Sequence, residues 1–392
     1  MSEYQRYEFV TVDRPLTQSQ LDAVDGLSSH IEASSTHAFI EYHWGDFKYD
    51  PIEVLHDYFD AFLYWANWGS RQLAFRFPHG VLPGDFIKDY DLDEYVTFTQ
   101  HQDYDVLDFD FKEMEAEEWP DYELGPLIPI REELMEGDLR ALYIAWLAAQ
   151  RMIWGYDYDY TGVDDEEEEE SEEEDDELAG TPPVPPDFGK LTQAQQALAE
   201  LLEVPSELLA AAAKHSSAGG PSMKDDFAAW VDLLPEERRK DYLVRLARNE
   251  PGLSRLLVRE LRELGLGKTK ATPAQGERVT YAQLLAESAA IQAQIEHEKR
   301  EQARLAHQRR MQELHDYQNT YWRQVDQAAA QGTASGYDRA TQLLVELREA
   351  ADYFKETNAF LARFLTWVQS HQRRPALLRR LQEHHFVIPA KN

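Results

Sequence analysis

Carboxylates dominate the side chains that could do chemistry in this sequence. Asp108 and Asp110 alternate with Leu107, Phe109 and Phe111. On a strand, that period-two spacing puts both acids on one face and the apolar residues on the other. If the N-terminal part of the chain holds an enzyme or small-ligand site, this row is one place for it. His43-Trp44-Gly45-Asp46 and Trp65-Ala66-Asn67-Trp68-Gly69 both set tryptophan beside glycine at an element boundary. Tryptophans at such places line a ligand pocket or plug the end of a core. His43, Trp44, Asp46, Trp68, Asp108 and Asp110 are therefore the candidate pocket residues. The plainer reading of the acid row is a solvated strand face that opposes edge-to-edge pairing.

Other constellations fall short of a site. Asp89-Tyr90-Asp91-Leu92-Asp93-Glu94 opens like a calcium loop. An EF-hand then needs glycine in sixth place and glutamate in twelfth. Those places hold Glu94 and Gln100, so an acidic surface loop is expected. His56 and Asp60 lie one helical turn apart, but nothing fixes a third metal ligand. The chain has no cysteine, which excludes thiolate zinc sites, cysteine nucleophiles and disulfides. It also lacks a Walker A loop, a GxGxxG turn, a GxSxG elbow and an HExxH helix. No metal, cofactor or catalytic residue is expected on these grounds, and an enzyme is the less favoured reading.

Arginine pairs stand out in the C-terminal half. His307-Gln308-Arg309-Arg310 recurs as His371-Gln372-Arg373-Arg374, and Arg379-Arg380 follows. Paired arginines on exposed helices grip phosphate or carboxylate. A nucleic-acid domain is strongly basic, whereas this chain has a net charge of −34. Nucleic acid is thus an unexpected ligand; the six arginines read as solvated helix faces or as contacts to the acidic linker of this or another chain, and they are the candidate partner-contact residues. The excess acid lies in the first 190 residues. It would favour basic partners and repel anionic surfaces.

The elements that carry these residues fall into two kinds. Residues 7–12, 37–44, 73–77, 95–99 and 104–111 read as strands, rich in aromatic and β-branched side chains. Residues 18–29, 51–65 and 139–154 read as helices, with Thr17, Pro51 and Asp138 as start signals. This predicts an α+β domain over 1–160, an antiparallel or mixed sheet with helices on one face. Residues 161–190 read as a disordered linker. Asp164–Glu177 has thirteen acids in fourteen positions, and Thr181–Pro186 is a stiff polyproline-type spacer. An all-α region follows: a helical domain over 191–266, a linker over 267–279, and a long helix from Thr280 to Val325 with a helical hairpin over 280–392. Leu284, Ile291 and Ile295 have heptad-like spacing, but Glu298, Gln302 and Arg309 break it. The start lacks a secretory pattern, and the apolar run Ala141–Ala149 is far shorter than a membrane span. A soluble cytoplasmic protein is expected.

The stretch from Tyr337-Asp338-Arg339-Ala340 to Pro375-Ala376-Leu377-Leu378-Arg379-Arg380-Leu381 resembles helical C-terminal regions of uncharacterised bacterial proteins. Some of those proteins carry SWIM-type zinc fingers elsewhere. The resemblance spans about 50 residues of leucines, arginines and one proline. A SWIM finger needs a CxC pair, which a cysteine-free chain cannot supply, so no functional residue carries over. The resemblance implies a helical interaction region and a bacterial origin. Together these readings favour a non-enzymatic interaction or scaffold protein, binding a protein partner through its helical half. The alternatives are an enzyme or small-ligand binder in the α+β domain, and an acidic mimic of nucleic acid.

Overall fold

A computed structural model describes residues 3–82, 87–92, 94–112, 114, 122–160, 181–218, 226–248, 253–265 and 276–388. The chain divides into two compact units, Met1–Ile291 and Gln292–Asn392. The boundary therefore falls about a hundred residues after the compositional break at 190.

The first unit opens with β1 (Gln5–Val10), α1 (Gln18–Asp25), β2 (Ile31–Ala33) and β3 (His37–Tyr42). Then come α2 (Pro51–Tyr58), β4 (Ala61–Ala66), β5 (Arg71–Pro78), β6 (Val96–Gln100) and β7 (Tyr104–Phe111). The strands form one sheet in the order β2-β3-β1-β4-β5-β7-β6, antiparallel at every pairing. Local signals start the helices as expected. Thr17 and Gln20 form a capping box, and the Asp50 carboxylate accepts from the Ile52 N–H ahead of Pro51.

The expected helix over 51–65 stops at Tyr58, and Ala61–Ala66 is instead the fourth strand. Asp60 explains the break. Its carboxylate accepts the backbone N–H groups of Val12 (2.7 Å) and Asp13 (2.9 Å) and pairs with Arg76 at 2.7 Å. Arg131 joins the group, donating to Asp13 at 2.8 Å and to the Arg76 carbonyl oxygen at 2.8 Å. Burial pushes the Asp60 carboxyl up, but Arg76 and Arg131 outweigh it and hold the group below the usual carboxylate range. A helix continued through Asp60 would forfeit these bonds. The strand that follows is central and buried on both faces, so its sequence shows no alternation.

One face of the sheet, with Tyr7, Phe9, Ala38, Ile40, Phe62 and Ala74, packs on Val24, Val54 and Leu55 of α1 and α2. The other, with Leu63, Trp65, Leu73, Phe75, Leu107 and Phe109, packs on α3 (Pro129–Met135) and α4 (Arg140–Tyr160). Every residue from Ala141 to Ala149 is buried in α4. Being apolar all round, this segment is enclosed on every side. Two further helices, α5 (Gln193–Leu201) and α6 (Ser206–Lys214), enclose it, placing Leu198, Leu201, Leu208 and Ala211 in the same core. Each such leucine stabilises by about 2 kcal/mol.

The proline run is not a spacer. Thr181, Pro182, Pro183, Val184 and Pro185 are buried. The Val184 N–H donates to the Glu277 carbonyl oxygen at 3.0 Å, and Arg278 binds the Thr181 carbonyl and, at 3.1 Å, Asp89. Gly276 permits this approach, since a Cβ there would sit 1.8 Å from the Val184 oxygen. The acidic residues 164–177 lie outside the described residues, as does Asp93 of the suspected calcium loop.

Three short helices, α7 (Phe227–Leu233), α8 (Glu236–Ala247) and α9 (Leu253–Gly265), have their own small core of Trp230, Leu234, Tyr242, Leu253 and Leu261. The predicted long helix ends early: α10 runs from Tyr281 to Asp316, and Tyr317 breaks it with φ −110° and ψ 21°. In the second unit the end of α10 packs with α11 (Gln318–Ala330), α12 (Ala334–Tyr353), α13 (Thr357–Ser370) and α14 (Pro375–Glu383). Leu314, Val325, Leu343, Leu344, Phe364, Leu377 and Leu381 form the core of this bundle.

Three helix ends share one device. Glu203, Lys355 and His385 have φ of 51°, 62° and 63°, and the next N–H reaches back to the carbonyls of Ala199, Ala351 and Leu381. These are Schellman caps with a side chain where glycine is usual. Among the described residues no helix is long and apolar enough to cross a membrane.

Candidate functional site

Strand alternation gathers polar side chains at one end of the sheet, on the face that α1 and α2 cover. Gln5 and Tyr7 come from β1, Tyr64 from β4, Gln72 from β5, and Asp108 and Asp110 from β7. The Tyr7 and Tyr64 hydroxyls both donate to Gln5 Oε1, at 2.9 and 3.2 Å. Gln5 Nε2 donates to the Gly45 carbonyl at 2.7 Å and to Asp46 at 3.1 Å. Burial, with the Asp46 charge nearby, pushes the Tyr7 phenol up to about 12.

The acid row differs from expectation. β7 is an interior strand between β5 and β6, so the row does not guard an edge. Asp108 is half-buried and accepts from Gln72 Nε2 at 3.1 and 2.9 Å. Burial pushes its carboxyl up to about 7, and the charges of Asp110 and Asp50 add to this against the Gln72 amide. Asp110 is held by Lys112 at 3.0 Å.

The six predicted pocket residues thus separate. Asp46, Asp108 and Asp110 border the tyrosine cluster. His43 packs instead on Tyr4, whose ring lies against Trp65 (centroids 5.1 and 5.3 Å apart). Trp44 is 77% exposed, and Trp68 donates to Ser70 at 3.1 Å in the β4–β5 turn. His56 turns to Asp57 rather than Asp60. No group of three or more metal-ligating side chains occurs among the described residues.

The arginine pairs separate as well. Arg310 binds Glu346, Glu313 and Tyr321; Arg374 donates to the Ala329 carbonyl; Arg380 binds Asp338. These three join helices of the bundle, and Arg379 pairs with Glu383 at 3.2 Å along its own helix. Arg309 and Arg373 remain exposed.

Sequence reasoning missed a concave site in the bundle. A cavity of about 60 Å³ opens where α11, α12 and α13 meet the last turn of α10. Its floor is Leu314, Trp322, Leu347, Ala350 and Phe360, and its rim is His315, Gln318, Glu356 and Arg363. Ala350, Ala351 and Ala359 stand where the helices meet, and their short side chains leave the space. The Schellman turn at Lys355 sets Glu356 at the mouth, 3.5 Å from His315, whose ring lies on Phe354. The Arg363 guanidinium lies over the Trp322 ring, 4.7 Å from its centre, and donates to Asn319 Oδ1 at 2.8 Å. Burial pulls the Arg363 group below its ordinary value, with Asp326 opposing. The only signal in the sequence was a set of alanines among leucines and aromatics, which also describes an ordinary helix crossing.

No family model matches this chain, and no curated protein or solved structure matches it.

Proposed function

We propose that this protein binds another protein through its C-terminal helical unit, with one apolar partner side chain seated between α11, α12 and α13. The observation that carries this reading is the cavity itself: an aliphatic and aromatic floor with a charged rim. Anchor pockets at protein interfaces have this build, with a desolvated centre and polar surroundings. Ala359→Leu fills the mouth from an exposed position and leaves the core intact. The test is affinity capture from the native host with full-length wild type and with this variant, matched for helix content. A protein retained by the wild type and lost by the variant supports the reading. Equal retention of every captured protein by both would remove its basis.

A second reading rests on Asp108. A carboxyl that titrates near neutrality and is bonded to Gln72, on the sheet face that also carries Tyr7 and Tyr64, has the make-up of a proton-handling or ligand-binding site. Thermal-shift screening of wild type against Asp108→Asn would favour it if a small molecule stabilised only the wild type.

A further inference from the structure

The partner segment that enters the bundle cavity is acidic on either side of its apolar anchor; we infer this from the state of Arg363, and the inference rests on the docking role proposed above. Five other arginines of this unit have carboxylate partners on the same chain; Arg309, Arg323, Arg339, Arg348, Arg373 and Arg374 have none among the described residues, but Arg363 is the arginine that lines the cavity. Arg310 has Glu346 and Glu313, Arg380 has Asp338, Arg379 has Glu383, Arg300 has Glu296, and Arg304 has Glu301. Arg363 has no carboxylate within ion-pair distance among the described residues. Its hydrogen-bond partner among the described residues is the neutral Asn319 amide. Asp326, whose charge acts on Arg363, accepts the Trp367 indole N–H at 2.6 Å.

The geometry prepares this cation for an external anion. Stacking on Trp322 and the bond to Asn319 fix the guanidinium plane, so little rotamer freedom is lost when a carboxylate docks. Trp322 also forms part of the cavity floor. The cation and the apolar socket are therefore adjacent, and one short segment can use both. Across the mouth, Glu356 already has a partner in His315, 3.5 Å away. A segment with lysines beside its anchor would meet an uncompensated Arg363. An acidic one would give Arg363 the kind of carboxylate partner that Arg310 and Arg380 already have.

The probe is a short fluorescein-labelled peptide, acidic throughout except for one central leucine, titrated into the full-length protein by fluorescence anisotropy. Its leucine-to-serine version and its all-lysine counterpart are the controls. The acidic leucine peptide is expected to bind, with both controls at least about tenfold weaker. Arg363→Glu is expected to weaken it about tenfold to a hundredfold, the range for a charge-assisted hydrogen bond. Arg363→Lys is expected to restore part of the loss. Binding of the serine peptide as tightly as the leucine peptide would overturn the proposal, because charge alone would then explain it. So would indifference to Arg363→Glu, or no binding by the wild type. Suppose a captured host protein is lost on Ala359→Leu yet unaffected by Arg363→Glu. The docking site then stands and the acidic partner falls. If neither variant alters capture, both fall.

Discussion

Replacing Asp108 by asparagine is expected to stabilise the protein at alkaline pH and to do nothing at acid pH. Asparagine keeps the shape of the protonated side chain, and the Gln72 amide can turn to meet it. The folded carboxyl titrates at about 7, while an unfolded aspartate titrates near 4. A raised folded value means that the native state binds the extra proton between those limits. The contribution of this group to stability is therefore greatest below about pH 4, falls as pH rises toward 7, and stays low above it. The gap of about three units corresponds to a ceiling of about 4 kcal/mol. Water reaches this half-buried position, so a gain of about 1–3 kcal/mol at pH 8 is the working expectation. His215 acts with the same sign in part of this window, but it is present in both proteins and cancels in the difference. Hydrogen exchange of the β5 and β7 amides reports on the sheet without involving the helical bundle. A gain of equal size at pH 4 and pH 8, or a loss at pH 8, would refute the argument.

Four other outcomes can be checked. Lys355→Gly is expected to raise the stability of the bundle by about 0.5–1 kcal/mol in urea titrations, since a side chain at φ 62° is strained. Glu203→Gly, at φ 51°, is expected to lower stability, because its carboxylate pairs with buried Arg71. Asp60→Ala is expected to cost about 3–5 kcal/mol by the same measurement, as it leaves Arg76 buried without its carboxylate. His215 contacts Glu277 and Glu287 at 2.9 Å each, with Lys214 nearby at 3.9 Å from Glu287. Burial works against its charge, but the two carboxylates outweigh this and raise its value. Its contribution is complete below about pH 6.5 and is lost as pH rises through the folded value. His215→Gln is expected to flatten that slope in thermal melts recorded across pH.

Much of the fold was legible from local chemistry. The Thr17 capping box, Pro51 behind Asp50, and the polar link at 101–103 between β6 and β7 act within a few residues of themselves. Leu107, Phe109 and Phe111 face the core, as their alternation requires. β4 was not legible, because burial on both faces erases alternation, and Phe59 and Phe62 then imitate a helical stripe. The seating of Val184 was hidden for a different reason. A proline-rich composition describes a spacer equally well whether or not Gly276 and Arg278 wait for it. The bundle cavity is made by alanines on separate helices, and only their meeting reveals it. The fates of Arg310, Arg374 and Arg380 followed from partners 36 to 45 positions away in sequence.

The acidic run is an insertion within one folded unit. In sequence it lies between α4, which ends at Tyr160, and the buried Thr181, and both belong to the first unit. Its length therefore does not set the reach between two domains. Severing the chain there divides a single core, with Ala141–Ala149 on one piece and Leu198 and Leu208 on the other. The protein is thus a natural candidate for split-fragment complementation. A nick in the run is expected to leave one particle on a sizing column, and two separately made pieces are expected to need each other to fold.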